Sequence, residues 1–479
     1  MAARFNLDYD DRLFDPNTEI KKIARELYES VKDLPIISFH GHVDAKIFSE
    51  NKRFPNPTEL IIIPDHYIFR LLNSIGVSYE DLGIPRKDGS RSKDYDPKKT
   101  WKLFAQNYHA LAGTPMAQWF EQQLAGIFEI KEGLNEINAE KIYSQIDERL
   151  ASPEFLPRSI YQRSGIEVLC TTDEPWDKLE SHKEIKIHPE WKLNVIPGFR
   201  PDKLMDLSSP QLIENIAKLA KSTGGKIENY EYFKTALQKA REYFKSLGAV
   251  LTDHGVVSPR VGLMDYAKAE ELFLNALNGK TQNISLSSVE EFRAHMLMED
   301  ACMSACDGLV MQIHAGVCRN HDAGTYDVYG PDKGFDMPTK VEFVENLRPL
   351  LNEMMGNCKF KVVVYCQDSD AYYRELVPLA GCYPSLYLGE NWWMFDEARE
   401  IERTLEQTLG RGTSYLKKAG FPDDTRAPLS IPVRHDTARR AYADSLAKMV
   451  VRKELAKKEA LTIIKWLSYY GPKEVFNLN

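Results

Sequence analysis

The chain of 479 residues is short of several things, and each shortage narrows its function. No run approaches about 18 uninterrupted apolar residues, and the start, Met-Ala-Ala-Arg-Phe-Asn-Leu-Asp-Tyr-Asp, has no apolar signal core, so neither a membrane span nor secretion is expected. Positive charge is not in excess: 62 Lys and Arg against 70 Asp and Glu leave a net charge of −8, which argues against nucleic acid as a partner. A pocket for an acidic ligand must therefore be built locally. The seven cysteines (170, 302, 306, 318, 358, 366, 382) are odd in number and form no Cys-x-x-Cys pair, which excludes a disulfide framework and fits a reducing, cytoplasmic compartment. The nearest two, Cys302 and Cys306, fall one helical turn apart and are expected to be buried packing residues. Neither a Rossmann glycine fingerprint nor a Walker loop is present, so no nucleotide carrier is indicated. Internal repeats, low-complexity tracts and flexible linkers are also missing.

What is there centres on Ile36-Ile37-Ser38-Phe39-His40-Gly41-His42. An apolar run from Leu34 to Phe39 ends in two histidines one residue apart, which in a strand share a face at its C-terminal tip. That geometry suits a divalent ion of the zinc class, because strand-end imidazoles leave coordination positions open for water or substrate. An amphipathic helix over 17–33 leads into this strand. After it comes a long interval of amphipathic helices, at 101–111, 116–128 and 139–150, with little β character.

Beyond residue 160, short apolar runs at 167–170, 193–196, 249–252, 309–313, 360–365, 386–388 and a weakly defined one at 420–421 alternate with helical stretches at 210–221, 232–247, 289–306, 340–355 and 395–409. Such alternation implies right-handed βαβ crossovers and a parallel sheet, and eight strands imply closure. The expected fold is α/β, a (β/α)8 TIM-type barrel with a helical insertion after the first strand. Residues 1–44 would supply the N-terminal helix and first strand, 45–160 an inserted helical subdomain, and 161–479 the rest of the barrel. The stretch 434–467 should form a helix packed outside it.

In a barrel of this type the loops after the strands form the active face, and ionisable groups stand at nearly every such point. They are His40 and His42, Thr171-Thr172-Asp173-Glu174, Arg200-Pro201-Asp202, Asp253-His254, His314, Gln367-Asp368, Glu390-Asn391-Trp392-Trp393 and Asp423-Asp424-Thr425-Arg426. Arginines in tight loops, Arg200 and Arg426, suit bidentate capture of a carboxylate or phosphate. Asp253 and His254 equally suit a turn cap, and His314 a buried structural role. In the insertion, Asp65 reads as a helix N-cap, putting His66, Tyr67 and Arg70 in or near the first turn, from which they could reach a substrate.

Together these motifs resemble the uronate isomerase (glucuronate isomerase) family, a divergent branch of the metal-dependent amidohydrolase superfamily. The resemblance is carried by His40-Gly-His42, Asp65-His66-Tyr67 with Arg70, Phe199-Arg200-Pro201-Asp202, Asp253-His254-Gly255, Gln312-Ile-His314-Ala-Gly316 and Asp424-Thr425-Arg426, and it runs over nearly the whole chain. It implies a barrel with an insertion after the first strand and the interconversion of D-glucuronate with D-fructuronate and of D-galacturonate with D-tagaturonate. It also implies one divalent metal, commonly zinc, on His40, His42 and Asp424, with His66, Tyr67, Arg200, Asp253, His314 and Arg426 lining the substrate site. The family's usual Asp-Ser-Arg is here Asp424-Thr425-Arg426 after a second acid, Asp423, and the Asp-x-Arg spacing selects Asp424 as ligand.

Aldose–ketose conversion needs an opened ring, a proton moved between C2 and C1, and stabilised enediolate oxygens. Tyr67, Asp424, His66, Asp253 and His314 are the expected catalytic groups. Arg200, Arg426, His66 and Trp392 are the expected substrate contacts, with Arg200 or Arg426 on the sugar carboxylate. The only partners expected are the small uronate sugar and, as for many large barrels, further copies of the chain. The alternative is a metal-dependent hydrolase of the same superfamily. Those sites often carry a lysine after the fourth strand that bridges two metals, and here that place reads Asp253-His254.

Overall fold

The computed structural model describes residues 3–478. Strand β1 (Ile36–Ser38) pairs in parallel with β2 (Ile166–Cys170), and β2 with β3 (Val195–Ile196). A second parallel sheet runs β4 (Leu251–Val256), β5 (Val310–Ala315), β8 (Val362–Tyr365), β9 (Leu386–Leu388); between β5 and β8 the chain makes a small antiparallel pair, β6 (Val317–Cys318) with β7 (Met337–Pro338). The two parallel sheets are stitched by a bridge between Phe199 and Thr252. Every residue of β1, β4's first four positions, β5 and β8 is buried, as expected of parallel strands covered on both faces by helices.

The expected eighth strand is not formed at 420–421. A single bridge, Leu388 to Lys418, stands in its place. Gly420 lies at φ 95° and Pro422 has no amide proton to give a ladder, so regular pairing stops there. The backbone nevertheless continues to β1: the Asp424 amide donates to His40 O (3.3 Å) and the His42 amide to Thr425 O (2.9 Å).

Between β1 and β2 the regular elements among the described residues are all helices. The local starts are written in the sequence: Asn56, Asp65, Asp96 and Thr114 each cap a helix with a side-chain oxygen, and three of those helices carry proline in the first turn. Trp101, Phe104, Phe120 and Tyr143 pack against one another with centroids 5.4–6.1 Å apart. β4 and β5 run further than the sequence pattern suggests, because polar Asp253, His254 and His314 continue the parallel ladder (His254 opposite Ile313, Gly255 opposite His314). Cys302 is half-buried and Cys306 exposed rather than both buried, since one helical turn apart in Leu286–Asp307 they share the face opposite the buried Met303 and Ser304.

The C-terminal stretch is two helices, Ser430–Val451 and Lys457–Lys465, broken where Lys453 adopts φ 61°. Ser430 to Ala447 is buried on every side, covered by the helices Thr18–Glu29 and Ala398–Gly410. Its charged residues survive burial by pairing: Asp436 accepts from Arg12, Tyr28 and Arg440, Arg434 pairs with Asp396, and Arg439 donates to the carbonyls of Lys32, Leu34 and Pro35. Among the described residues no helix is long and apolar enough to cross a membrane.

Asp436→Ala strands Arg440, which has no solvent exposure, against an empty acceptor. Urea unfolding is expected to show a loss of about 3–5 kcal/mol; a loss below about 1 kcal/mol would mean that the two chain ends are held mainly by apolar packing.

Candidate active site

Period-2 alternation decides which strand residues meet in the centre. In β4, Asp253 and Gly255 line a cavity of about 440 Å³ while His254 faces away, its Nε2 bonded to Thr252 Oγ1 at 3.0 Å. The cavity also collects His40 and His42 from β1's end, Arg200 after β3, His314 from β5, Trp392 and Trp393 after β9, and Asp424 and Arg426 from the last segment.

Three ligand atoms converge at its floor. Asp424 Oδ1 stands 3.4 Å from His40 Nε2 and 3.2 Å from His42 Nε2. A tetrahedral ion with bonds of about 2.0–2.1 Å needs ligand atoms about 3.3 Å apart, the spacing that Asp424 keeps to each histidine, and the three residues together form a group that could hold a divalent metal. Asp424 is held at φ 42°, a left-handed backbone uncommon for aspartate, and it is fixed there by its amide bond to His40 O. Burial would raise its carboxyl, but the contacts with His40 and His42 outweigh burial and hold it well below the usual range. Asp423 turns the other way and meets His435 Nε2 at 3.1 Å.

Beside this cluster sits a second unit. His314 Nδ1 is 2.7 Å from Asp253 Oδ1, and the His314 ring lies between Tyr365 (centroids 4.1 Å apart, planes 6° apart) and His40 (4.3 Å, 27°). Its Nε2 is buried with no hydrogen-bond partner. Burial, then the neighbouring His40, pushes the His314 pKa down to about 4, so the ring is neutral at neutral pH. Burial would raise Asp253, but Arg200, then His314 and His40, keep it well below the ordinary carboxylate range. His40, Asp253 and His314 also bring ligand atoms within 4.8 Å of one another, but Asp253 is engaged by Arg200 Nη1 at 3.2 Å.

Of the insertion's three candidates, only His66 lines the cavity. Asp65 caps the helix His66–Ser74 by accepting from the amides of Tyr67 (2.9 Å) and Ile68 (3.3 Å), which aims His66 inward. His66 Nε2 accepts from the indole N–H of Trp393 (2.8 Å), and burial, then Arg426, lowers its pKa to about 3. Tyr67 lies behind His66, rings stacked 4.6 Å apart, with a buried, unpartnered Oη and a pKa raised by burial. Arg70 is taken up by packing under Gly334, where an added Cβ would come within 2.5 Å of it.

The arginines differ in what holds them. Arg200 donates from Nε to Asp202 (2.8 Å) as well as facing Asp253, whereas Arg426 meets one acid, Asp332, at 3.1 Å and keeps a buried, unpartnered Nε. Asp332 belongs to a set that the sequence reading missed. The excursion between β6 and β7 delivers Arg319, Asn320, Asp332 and Asp336 to the cavity, with Arg319 paired to Asp336 at 2.6 Å. The signal was the run Gly330-Pro-Asp-Lys-Gly334, whose two glycines take φ 81° and 79° and punctuate a structured loop. Glu174 and Lys203, an ion pair of 2.5 Å, complete the mouth.

Parallel strands whose C-terminal ends deliver a His-His-Asp cluster, a His–Asp pair and an arginine-lined mouth define an α/β enzyme acting on a small anionic ligand. Comparison with known proteins narrows this. The profile of the glucuronate isomerase family matches residues 16–476. A uronate isomerase of Nostoc punctiforme is 40% identical over 470 residues, 98% of each chain. The crystal structure of glucuronate isomerase from Caulobacter crescentus superposes with a TM-score of 0.95 at 37% identity, covering 99% of this chain and 98% of that one. That of Thermotoga maritima uronate isomerase gives 0.88 at 31%, covering 95% and 97%. The chain belongs to the glucuronate isomerase family.

A Cβ on Gly389 would lie 2.1 Å from the Tyr365 ring, which supports His314 from behind. Gly389→Ala is therefore expected to lower uronate isomerase kcat/KM by about 10²-fold while far-UV circular dichroism stays unchanged. Unaltered kinetics would show that the Tyr365–His314 stack does not set the geometry.

Proposed function

We propose that the enzyme interconverts D-glucuronate with D-fructuronate, and D-galacturonate with D-tagaturonate, by proton transfer between C2 and C1, with one zinc ion on His40, His42 and Asp424. The observation that carries this reading is the joining, in one buried cavity of monosaccharide size, of a metal-fitting cluster to cations that can hold a carboxylate. The frame is a closed (β/α)8 barrel in which 45–160 is an inserted helical subdomain. The two parallel sheets, β1-β2-β3 and β4-β5-β8-β9, the Phe199–Thr252 bridge between them, the bridge at Lys418 and the amide bonds from Asp424 and His42 support it.

Arg426 receives the sugar carboxylate, because it has one acid partner at the mouth where Arg200 has two. Arg319 stands on the same rim. Trp392 and His66 form the walls against which the sugar lies. Asp424, ionised, accepts the anomeric hydroxyl proton as the C1–O5 bond breaks and passes it to O5. His314 Nε2, neutral, unbonded and backed by the Asp253 carboxylate, is the base suited to take the C2 proton and return it to C1. Tyr67, its phenol kept protonated by burial, backs the His66 ring from behind and is not the base. A bound divalent ion supplies Lewis acidity for the oxygen on which charge develops. The O2 hydroxyl proton passes to O1 as C1 regains the C2 proton, so both hydrogens stay within substrate and site and no electron or group carrier is required.

One-dimensional NMR of the protein with each sugar in D2O, before and after chelation, is expected to show the ketose products, and to lose them on chelation. No conversion of either sugar would turn the reading to hydrolysis and a screen of amides, esters and lactones. Arg426→Met is expected to cost about 10²-fold in kcat/KM, on the order of 3 kcal/mol, with the thermal midpoint retained. Near-normal kinetics would remove Arg426 from the site.

A further inference from the structure

A second cavity, of about 680 Å³, lies outside the catalytic one, among the loop after β2 and the helices Glu180–Ile187, Leu212–Thr223 and Tyr230–Ser246. It is the reverse of the protein's overall charge. Five lysines, Lys178, Lys183, Lys218, Lys221 and Lys239, line it against two acids, Asp177 and Glu180. Lys218 and Lys183 are partly spent: they pair with Glu214 (2.7 Å) and Glu180 (3.8 Å), and their ammonium groups stand 5.7 Å and 5.4 Å from the rings of Trp176 and Tyr243. Lys178, Lys221 and Lys239 are not; among the described residues no carboxylate comes within 4.0 Å of any of them. Three exposed lysines without a carboxylate partner thus share one concavity of a chain whose net charge is −8, giving it a local positive field that suits an anion.

Two further observations bear on the site. The helix Glu180–Ile187 starts without a side-chain cap, Leu179 holding the N-cap position at φ 52° and offering no acceptor, and the one acid in its first turn, Glu180, is itself paired with Lys183. The cavity also shares Thr223 and Lys239 with a neighbouring hollow of about 350 Å³ that adds Lys226 and Glu228, room for a longer ligand without further net charge. The wall formed by Pro175 to Lys178 is covalently continuous with Thr172 and Glu174 of the catalytic cavity through a tight turn, in which the Glu174 amide donates to Asp177 Oδ2 and the Asp177 amide to Glu174 O, both at 2.9 Å.

We propose that this lysine-lined cavity is an effector site for a small polyanion, bearing phosphoryl or several carboxylate groups, whose occupancy acts on the catalytic mouth through the Glu174–Asp177 turn. Binding is electrostatic and weakens with salt. Nothing in it depends on which sugar the catalytic site turns over.

Titration calorimetry of the whole chain with tripolyphosphate and with citrate, which separate a phosphoryl from a carboxylate ligand, tests the binding. Three forms are compared: unaltered protein, Lys221→Ala/Lys239→Ala, and Arg426→Met. At least one probe is expected to bind the unaltered protein and Arg426→Met alike, to bind the double lysine variant about tenfold or more weakly, and to change KM for the uronate only where both lysines are present. The proposal is overturned if neither probe binds, if the double variant binds as well as the unaltered protein, if Arg426→Met abolishes binding, or if binding leaves kcat and KM unchanged. Because calorimetry needs no turnover, failure of the isomerase reading would leave the binding result intact and readable.

Discussion

The contact on which the rest depends is that of Asp424 with the end of β1. Its amide bonds to His40 O, and its carboxylate lies between the imidazoles of His40 and His42. One residue thus joins the last segment of the parallel system to the first strand and assembles the cluster that fits a metal. The helix Ser430–Val451 begins just beyond Arg426 and is buried along most of its length. Its Asp436, tied to Arg12, Tyr28 and Arg440, clamps the N-terminal segment onto the same region. Burying such charges is costly unless every member is paired, and here the pairing ties residues 12, 28, 436 and 440 into one network.

The cavity is an exercise in holding charge of both signs without collapse. Asp253, Asp202, Asp332 and Asp336 each hold a guanidinium, so Arg200, Arg319 and Arg426 are fixed in orientation before any ligand arrives. An arriving carboxylate competes with an aspartate at the rim and adds little new order. That is how a protein of net charge −8 can receive an acid: the local field is set by a few arginines, not by the total. His314 and His66, both neutral through burial, add polarity without adding repulsion between cations.

Much of the site was legible in the chain. His40, His42, Arg200, Asp253, His314, Trp392, Asp424 and Arg426 follow apolar runs of strand length, and the active end of a parallel sheet is where those runs stop. All eight line one cavity, with His66 from the insertion. The same logic failed for Tyr67 and Arg70, since helical spacing tells which residues share a face but not which face meets the cavity. It also passed over Arg319, Asn320, Asp332 and Asp336, which stand on an excursion 319–336 with no strand end to announce them.

The sequence by itself determined the local elements and their ends, because alternation, capping residues and proline or glycine stops act within a few neighbours. It also determined which residue types would gather at the strand tips. Only the tertiary structure decided that a single bridge at Lys418 stands where the last strand was expected, that Asp423 turns away to His435, and that the Ser430–Val451 helix is covered on every side. These depend on contacts between residues hundreds of positions apart, such as Arg12 with Asp436 and Asp424 with His40. No local pattern encodes them, because their energy exists only once the chain has brought the two ends together.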